Sequence, residues 1–246
     1  MNKIIIFITL TVFSVSLLAI DETESLRQRS QEKDKYTNLS LDLSGKNGNS
    51  KTENFSFGLY HSQRHKQHFG FIMATREYAT SFGVESANNA FSHVRYNYYF
   101  APKDSVEIFT QINEDNFRSL ESRKLIGLSY RHEINKSQAY GVGLFQEQED
   151  YLVNNMDEPF EQTRVNLYWV YAKQMNRYSY ISNTLYYQPN IRDAKDLRAY
   201  NKLSINSQIT DDVYMSFGLL IEHDSRPVLD VKQTDISYNA GFAIEF

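Results

Sequence analysis

Apolar and polar residues alternate with a period of two along most of this chain, and no stretch carries the stripe of an amphipathic helix. Between 163 and 172, Val165, Leu167 and Trp169 share one face, opposite Arg164 and Asn166. Such alternation is typical of a β-strand with one apolar and one polar face. We predict twelve strands, centred on residues 38–44, 54–60, 68–76, 91–100, 105–113, 124–132, 139–147, 163–172, 178–187, 199–209, 213–222 and 234–246.

The predicted connections alternate in character as well. Those after the odd-numbered strands are mostly longer or more polar, whereas several others are tight, as at 101–104 and 210–212. Transmembrane barrels show this asymmetry because one rim carries short periplasmic turns and the other carries extracellular loops. We therefore predict an all-β fold over residues 36–246: a transmembrane, antiparallel, up-and-down β-barrel of about twelve strands, with both chain ends on the periplasmic side.

A soluble β-sandwich with one wet face would alternate in a similar way. Here the apolar face belongs to nearly every strand, Tyr and Phe cluster near strand ends, and the chain ends on Phe246 after an alternating run. These features favour the membrane barrel, whose aromatic girdles lie at the two interfaces. The terminal Phe246 resembles an assembly signal, so we expect the barrel-assembly machinery to bind it, and outer-membrane lipid and lipopolysaccharide to surround the barrel.

The first residues have the pattern of an export signal. Lys3 precedes an apolar run over 4–18, which is too short for a membrane-spanning helix, and the chain turns acidic at Asp21. We predict a cleaved signal peptide over 1–19 and export to the outer membrane of a Gram-negative bacterium. Residues 20–35 are strongly charged, so we expect a mobile, polar periplasmic tail; the alternative is a short helix folded into the lumen as a plug.

Composition excludes several classes of function. The chain of 246 residues has a net charge of −4, which does not favour a nucleic-acid partner. It has no Cys, which excludes a disulfide scaffold, a thiol nucleophile and a Cys-based metal site. Nothing in the sequence calls for a cofactor.

Several short motifs carry a family resemblance. They are GLSYR at 127–131, EDY at 149–151, EHDSRP at 222–227, KQTD at 232–235 and, near the front, GNSKT at 48–52. They resemble the family of salt-induced outer-membrane proteins, the YdiY-like barrels, whose domain has no assigned function. The resemblance implies a barrel in the outer membrane and, since that family brings no established catalytic residues, it implies no reaction.

Chemistry is then expected in the lumen. The strand phases place acidic and basic side chains inside in nearly equal number, as candidate selectivity elements or an ion-pair network: Asp42, Arg76, Arg95, Glu107, Arg131, Glu147, Arg164, Lys202 and Glu222. Pairing would make a structural network, whereas segregation onto opposite walls would create a field suited to polar solutes. The sequence is compatible with both a filled lumen and a narrow aqueous path. Our first hypothesis is a passive pore or narrow channel for small polar solutes or ions, and the alternative is a non-conducting barrel that serves envelope integrity or surface binding.

Metal binding and catalysis have weaker support. His61, His65 and His68 crowd one turn, but Arg64 and Lys66 between them favour a solvated basic turn over a metal site. The connection after 147 is acidic, and we expect it to be a solvated loop rather than a calcium site. The phases leave no His on the lipid face for an acyl hydrolase, and the weakest hypothesis is a surface hydrolase; we expect no enzyme.

Overall fold

The computed structural model describes Arg27, Ser30 and residues 33–152, 160–210, 213–228 and 231–244. The predicted signal peptide and Phe246 lie outside these residues. Within them, no helix is long and apolar enough to cross a membrane.

Twelve strands make up most of the described chain, and each overlaps one of the predicted strands, which confirms the all-β expectation. A short 3₁₀ turn, Asn116–Arg118, follows the fifth strand. The strands are β1 (Lys35–Lys46), β2 (Thr52–His65), β3 (His68–Ser81), β4 (Val84–Ala101), β5 (Asp104–Asp115), β6 (Leu120–Asn135), β7 (Gln138–Tyr151), β8 (Phe160–Asn176), β9 (Ser179–Pro189), β10 (Leu197–Gln208), β11 (Val213–Asp224) and β12 (Thr234–Ile244).

The strands form one antiparallel up-and-down sheet. Hydrogen-bonded ladders join each strand to the next in chain order, from β1 at one end of the series to β12 at the other. The sheet curls so that strands far apart in this order meet inside it. The Tyr168 hydroxyl on β8 donates to Glu107 Oε2 on β5 at 2.6 Å, and Arg118 Nη2, just after β5, donates to Asp235 Oδ2 on β12 at 2.5 Å. The concave face of the sheet is therefore the barrel lumen.

The two rims of the barrel differ as predicted. One rim, here called the turn rim, carries four two-residue turns and the connection 209–212. The opposite loop rim carries the longer connections 47–51, 116–119, 152–159, 190–196 and 225–233.

The β3–β4 connection is the exception on the loop rim. Both strands run past their predicted ends, and only Phe82 and Gly83 link them. Both residues have a positive φ, 52° and 79°, as a tight hairpin turn requires. Because that turn matches the twist of the strands, the ladder continues where a longer loop was expected.

The outer face is apolar, and it agrees with the predicted phase in β8, β11 and β12. Large apolar side chains point outward and stay exposed, as with Leu41 at 63% and Leu128 at 55%. Near the turn rim the outer face carries Tyr96, Tyr98 and Trp169. A continuous exposed apolar belt with an aromatic border is the surface of a barrel immersed in lipid.

In β3 the predicted phase is reversed. Phe71 and Met73 are buried on the lumen side, and Ile72 is 43% exposed on the outer face. The pairing of Arg76 with Ala90 places Arg76 on the outer face as well, above the apolar belt, where its Nη2 donates to Asn88 Oδ1 at 2.6 Å. The prediction of Arg76 as a lumen residue is therefore wrong. The physical reason is that β3 is apolar on both faces over 69–74, so alternation alone does not fix its phase.

The outer face also carries histidines, contrary to the expectation of none. His68 Nδ1 lies 2.6 Å from the Tyr96 hydroxyl. His132 Nδ1 lies 2.7 Å from Asp104 Oδ1 at the turn rim. Both imidazoles belong to the aromatic border, where a ring with one polar edge suits the interface.

Before β1, the described residues Arg27 and Ser30 lie inside the lumen, fully buried. This corrects the expectation of a mobile periplasmic tail for these two residues and agrees with the alternative, a plug. The reason is chemical: a guanidinium and a hydroxyl find partners on the lumen wall, so the segment gains specific polar contacts there.

Candidate functional site in the barrel lumen

Near the turn rim, the lumen is filled around one carboxylate, Glu107 on β5, which is fully buried. It accepts hydrogen bonds from Asn97 Nδ2 at 2.7 Å and from the Tyr168 hydroxyl at 2.6 Å. Arg27 Nη1 lies 2.8 Å from it and Arg95 Nη1 lies 3.7 Å from it. Arg131 reaches the same group through the Tyr168 hydroxyl, to which its Nη1 donates at 3.3 Å. These residues form the turn-rim cluster.

Aromatic rings surround the guanidinium groups of this cluster. Arg95 lies over the rings of Phe71 and Phe109, at 5.7 and 5.5 Å from their centroids. Arg64 lies 5.1 Å from the rings of both Phe69 and Tyr99. Such stacking lets a charged side chain fill apolar space while its edge keeps hydrogen-bonding. This part of the lumen is therefore a packed core.

Near the loop rim, a second group of charges centres on Glu147 of β7. Arg123 Nη2 and Arg164 Nε each lie 2.5 Å from Glu147, and Arg198 Nη1 lies 3.0 Å from it. Glu149 also pairs with Arg198, at 2.5 Å, and with Arg123, at 3.2 Å.

Further carboxylates complete this loop-rim cluster. Asp196 holds Arg164 at 2.8 Å, and Asp224 holds Arg198 at 2.9 Å. Arg118 connects the cluster to β11 and β12 through Glu222 at 3.5 Å and Asp235 at 2.5 Å. A cavity of about 70 Å³ remains beside Arg118, Arg123 and Arg198. Acidic and basic side chains alternate across the lumen here, so most of the lumen near the loop rim is filled by an ion-pair network.

The structure brings six of the predicted lumen residues into these clusters: Arg95, Glu107, Arg131, Glu147, Arg164 and Glu222. Asp42 and Lys202 also face the lumen, as their ladder partners Ser56 and Leu220 indicate.

Sequence reasoning missed Arg27, Arg123, Glu149, Asp196 and Arg198. Arg123, Glu149 and Arg198 lie one or two residues beyond a predicted strand end. Extending the alternation at both ends of each strand would have found these three. Glu149 falls in the acidic connection predicted to be a solvated loop, but it is buried on β7. No local pattern marks Arg27 or Asp196, because they lie outside the strands.

The rest of the lumen wall is different in character. The inner faces of β1, β2, β10, β11 and β12 carry many Ser, Asn and Gly residues and, apart from the buried Ser62, these are exposed or half-exposed. The ladders place them opposite one another: Ser40 pairs with Gly58, and Gly218 pairs with both Ser204 and Asn239. These positions form two groups, one on β1–β2 and one on β10–β12, at the two ends of the strand order. Together we call them the small-polar wall; it comprises Asn38, Ser40, Asp42, Ser44, Asn54, Ser56, Gly58, Ser204, Asn206, Ser216, Gly218, Ser237, Asn239 and Gly241.

His61, His65 and His68, the weak metal candidates of the sequence, do not form a metal site. His61 Nδ1 lies 2.8 Å from the Thr37 hydroxyl, and His68 is engaged with Tyr96. Among the described residues, no group of three or more His, Asp or Glu side chains is arranged to hold a metal ion.

The fold and the lumen together define a class of protein: a twelve-stranded up-and-down β-barrel of the outer-membrane type. The chain belongs to the family described as "Protein of unknown function, DUF481", whose profile matches residues 39–246. No curated protein matches the sequence.

Two solved structures are similar over most of the chain. One is the NanC porin in a rhombohedral crystal form, 12% identical, with a TM-score of 0.48, covering 84% of this chain and 100% of that one. The other comes from work on the in-meso crystallization of membrane proteins; it is 11% identical, with a TM-score of 0.37, covering 85% of this chain and 82% of that one.

Proposed function

We propose that this protein is a narrow passive channel of the outer membrane for small polar solutes or ions. The water path runs along the small-polar wall, beside the half of the lumen that the two charged clusters fill. The observation that carries this proposal is the division of the lumen: large buried side chains on one part of the wall, small exposed polar ones on the other.

Side-chain size is the physical basis. A barrel of about twelve strands is wide enough to leave a path only where its inward side chains are short. Ser and Asn also offer hydroxyl and amide groups that replace part of the hydration of a passing solute. Asp42 and Lys202 lie on strands that carry this wall, so one residue of each charge sign faces the lumen from these strands.

Conductance of the refolded mature chain in a planar bilayer tests the proposal. We expect discrete current steps and a defined reversal potential in a KCl gradient. Because the chain has no Cys, a single introduced thiol reports the route. A charged thiol reagent is expected to reduce the current of Ser40→Cys and Ser204→Cys, which lie on the small-polar wall. Ser129→Cys is the matched control, since Ser129 is 2% exposed in the filled half, and its current should not change.

The second candidate is a non-conducting barrel, and the packed clusters favour it. A non-conducting barrel would insert into the bilayer and migrate on gels as a heat-modifiable band, but it would give no current steps. Equal effects of the reagent on Ser40→Cys and Ser129→Cys would contradict the proposed route. In either case the predicted partners, outer-membrane lipid and the barrel-assembly machinery, remain part of the proposal.

A further inference from the structure

The cavity at the loop rim, about 70 Å³ in volume, is lined from opposite sides of the lumen. The β5–β6 side contributes Asn113 and Arg123, and the β10–β11 side contributes Tyr200 and Glu222. The ladders pair Asn113 with Arg123 and Tyr200 with Glu222, so each side presents two neighbouring polar groups. Polar side chains that converge on one space are the usual lining of a ligand-binding site.

Asn113 brings a buried hydrogen-bond donor to this cavity. Its side chain is only 2% exposed, and its Nδ2 has no hydrogen-bond partner among the described residues. Leaving a buried amide unpaired destabilises a folded protein, so buried amides are nearly always paired. A buried donor in the lining of a cavity therefore indicates that an acceptor occupies that cavity.

Arg123 and Tyr200 offer further donors. Arg123 holds Glu147 with Nε and Nη2, and its Nε also lies 3.2 Å from Glu149. Its third nitrogen, Nη1, takes no part in these pairs. Tyr200 lines the opposite side, and its hydroxyl can donate as well. An acceptor in the cavity thus lies among an amide, a guanidinium and a phenol.

The charges of the lining favour an anion. Among the described residues, four basic side chains line the cavity against three acidic ones: Arg118, Arg123, Arg198 and Lys232 against Glu149, Glu222 and Asp224. The other carboxylates of the loop-rim cluster, from Glu147, Asp196 and Asp235, do not belong to this lining. Leu120 and Pro227 add apolar surface, which lowers the local dielectric constant and strengthens electrostatic attraction.

We propose that this cavity binds a small monovalent anion, an inorganic ion such as chloride or the carboxylate of a small organic solute, with Asn113 Nδ2 as its buried donor. One negative charge matches the single excess positive charge of the lining. A volume of about 70 Å³ admits a group of a few non-hydrogen atoms. The site is a property of the folded barrel, so it does not depend on the proposed channel.

Titration of carbon-13-labelled acetate into the refolded mature chain tests the site, with the NMR linewidth of the acetate carboxyl as the readout. We expect saturable broadening. Asn113→Asp keeps the shape of the side chain but places a negative charge against the anion, so it should weaken the affinity at least tenfold. Asn113→Leu removes the donor and adds no charge, and it should weaken the affinity about tenfold, because a hydrogen bond to a charged group is lost.

Two controls separate the site from general effects of charge. Asn206→Asp adds the same charge to the lumen on the small-polar wall, outside the cavity lining, and should leave the affinity unchanged. Lys232→Gln, a change at an exposed lining residue that spares the buried core, should weaken binding severalfold. Lys195→Gln, in the neighbouring loop and outside the lining, should not. Heat-modifiable migration on gels confirms that each variant is folded.

The outcomes distinguish the source of the anion and the two proposals. Full displacement of acetate by an equal concentration of chloride supports an inorganic anion, and weak displacement supports an organic carboxylate. Broadening that does not saturate, or an equal loss of affinity in Asn113→Asp and Asn206→Asp, overturns the site. Saturable binding without current steps in a planar bilayer supports the site and overturns the channel, whereas current steps without saturable binding do the reverse.

Discussion

Glu147 is the residue on which the loop-rim cluster depends. Its carboxylate is inaccessible to solvent and meets guanidinium groups from β6, β8 and β10. Replacing a whole buried ion-pair network by apolar residues changes the stability of a protein little. Removing one partner alone is strongly destabilising, because it leaves the charges of the other partners uncompensated. Here the loss of one acid would leave three bases without their shared acceptor.

We predict that Glu147→Gln lowers the stability of the folded barrel by about 3–5 kcal/mol, the usual cost of breaking a buried pair. The measurement is the temperature at which the folded band disappears on semi-native gels. Glu161→Gln is the matched control, because Glu161 is exposed at the start of β8, and it should melt with the unchanged protein. Equal melting of the two variants would mean that the cluster does not stabilise the barrel.

The predictability of single residues from the sequence depended on the strand in which they lie. In β8, Arg164 shares a face with Asn166, opposite the apolar Val165 and Leu167, so its inward direction is evident. In β3, Phe71, Ile72 and Met73 are all apolar, and only the ladder with β4 decides that Ile72 faces lipid. The partners of each charge were beyond prediction, because pairs such as Glu107 and Tyr168 join strands three apart in the sheet.

At the scale of elements, the phase of β3 has a direct consequence. Ile72 lies within the apolar belt, whereas Thr75 faces the lumen opposite Gly58 and Phe91. A charged side chain destabilises the barrel on the lipid-facing side, where Ile72 lies, and not on the lumen side, where Thr75 lies.

We predict that Ile72→Lys destabilises the barrel by up to ~2–4 kcal/mol, the cost of a cation near the bilayer midplane. Thr75→Lys, three residues away on the inner face, should fold with little loss. Folding yield into lipid vesicles, read from heat-modifiable migration, distinguishes the two. The opposite ranking would restore the phase that the sequence first suggested.

Two loops at the loop rim are tied by one exposed ion pair. Asp193 Oδ2 in the β9–β10 loop lies 2.5 Å from Arg226 Nη2 in the β11–β12 loop. The backbone amide of Lys195 and the Arg226 guanidinium hold the pKa of Asp193 below its ordinary value. Since the folded-state pKa is lowered, the contact stabilises the loops above the ordinary Asp pKa and is lost as the pH falls through the lowered value.

We predict that the Asp193 carboxyl titrates with a midpoint below the ordinary value of about 3.9, measured by NMR in micelles. Arg226→Ala should raise that midpoint toward the ordinary value, because one of its two causes is removed. Arg192→Ala is a matched control in the same loop and should have the smaller effect. A midpoint that does not respond to Arg226→Ala would show that the two loops are not coupled in solution.

At the scale of the whole molecule, the lumen charges are graded along the barrel axis. Near the turn rim, Arg27, Arg64, Arg95 and Arg131 outnumber the carboxylates Glu107 and Glu133. The loop-rim cluster has the opposite balance, with four guanidinium groups, from Arg118, Arg123, Arg164 and Arg198, against six carboxylates, from Glu147, Glu149, Asp196, Glu222, Asp224 and Asp235. An acidic loop-rim end and a basic turn-rim end give the proposed channel a direction.

We predict that Lys202→Glu makes the proposed channel more cation-selective, because Lys202 faces the lumen from β10, the strand that also carries Ser204 and Asn206 of the small-polar wall. In a KCl gradient, the reversal potential should move toward that of a potassium-selective pore. Lys173→Glu, on the exposed outer end of β8, should leave it in place. Identical shifts in both variants would mean that Lys202 does not lie along the path.

The small-polar wall and the packed clusters occupy different positions, even where they share β10, β11 and β12, and this separation bears on how the barrel can change over evolutionary time. Mutations at the Ser, Asn and Gly positions of the small-polar wall alter the bore while the charged side chains of the clusters keep their partners. Descendants of such a chain could therefore acquire new permeants without passing through unstable intermediates. The same property makes these strands the natural place to engineer a nanopore sensor, since their Ser and Asn positions accept new chemistry at little structural cost.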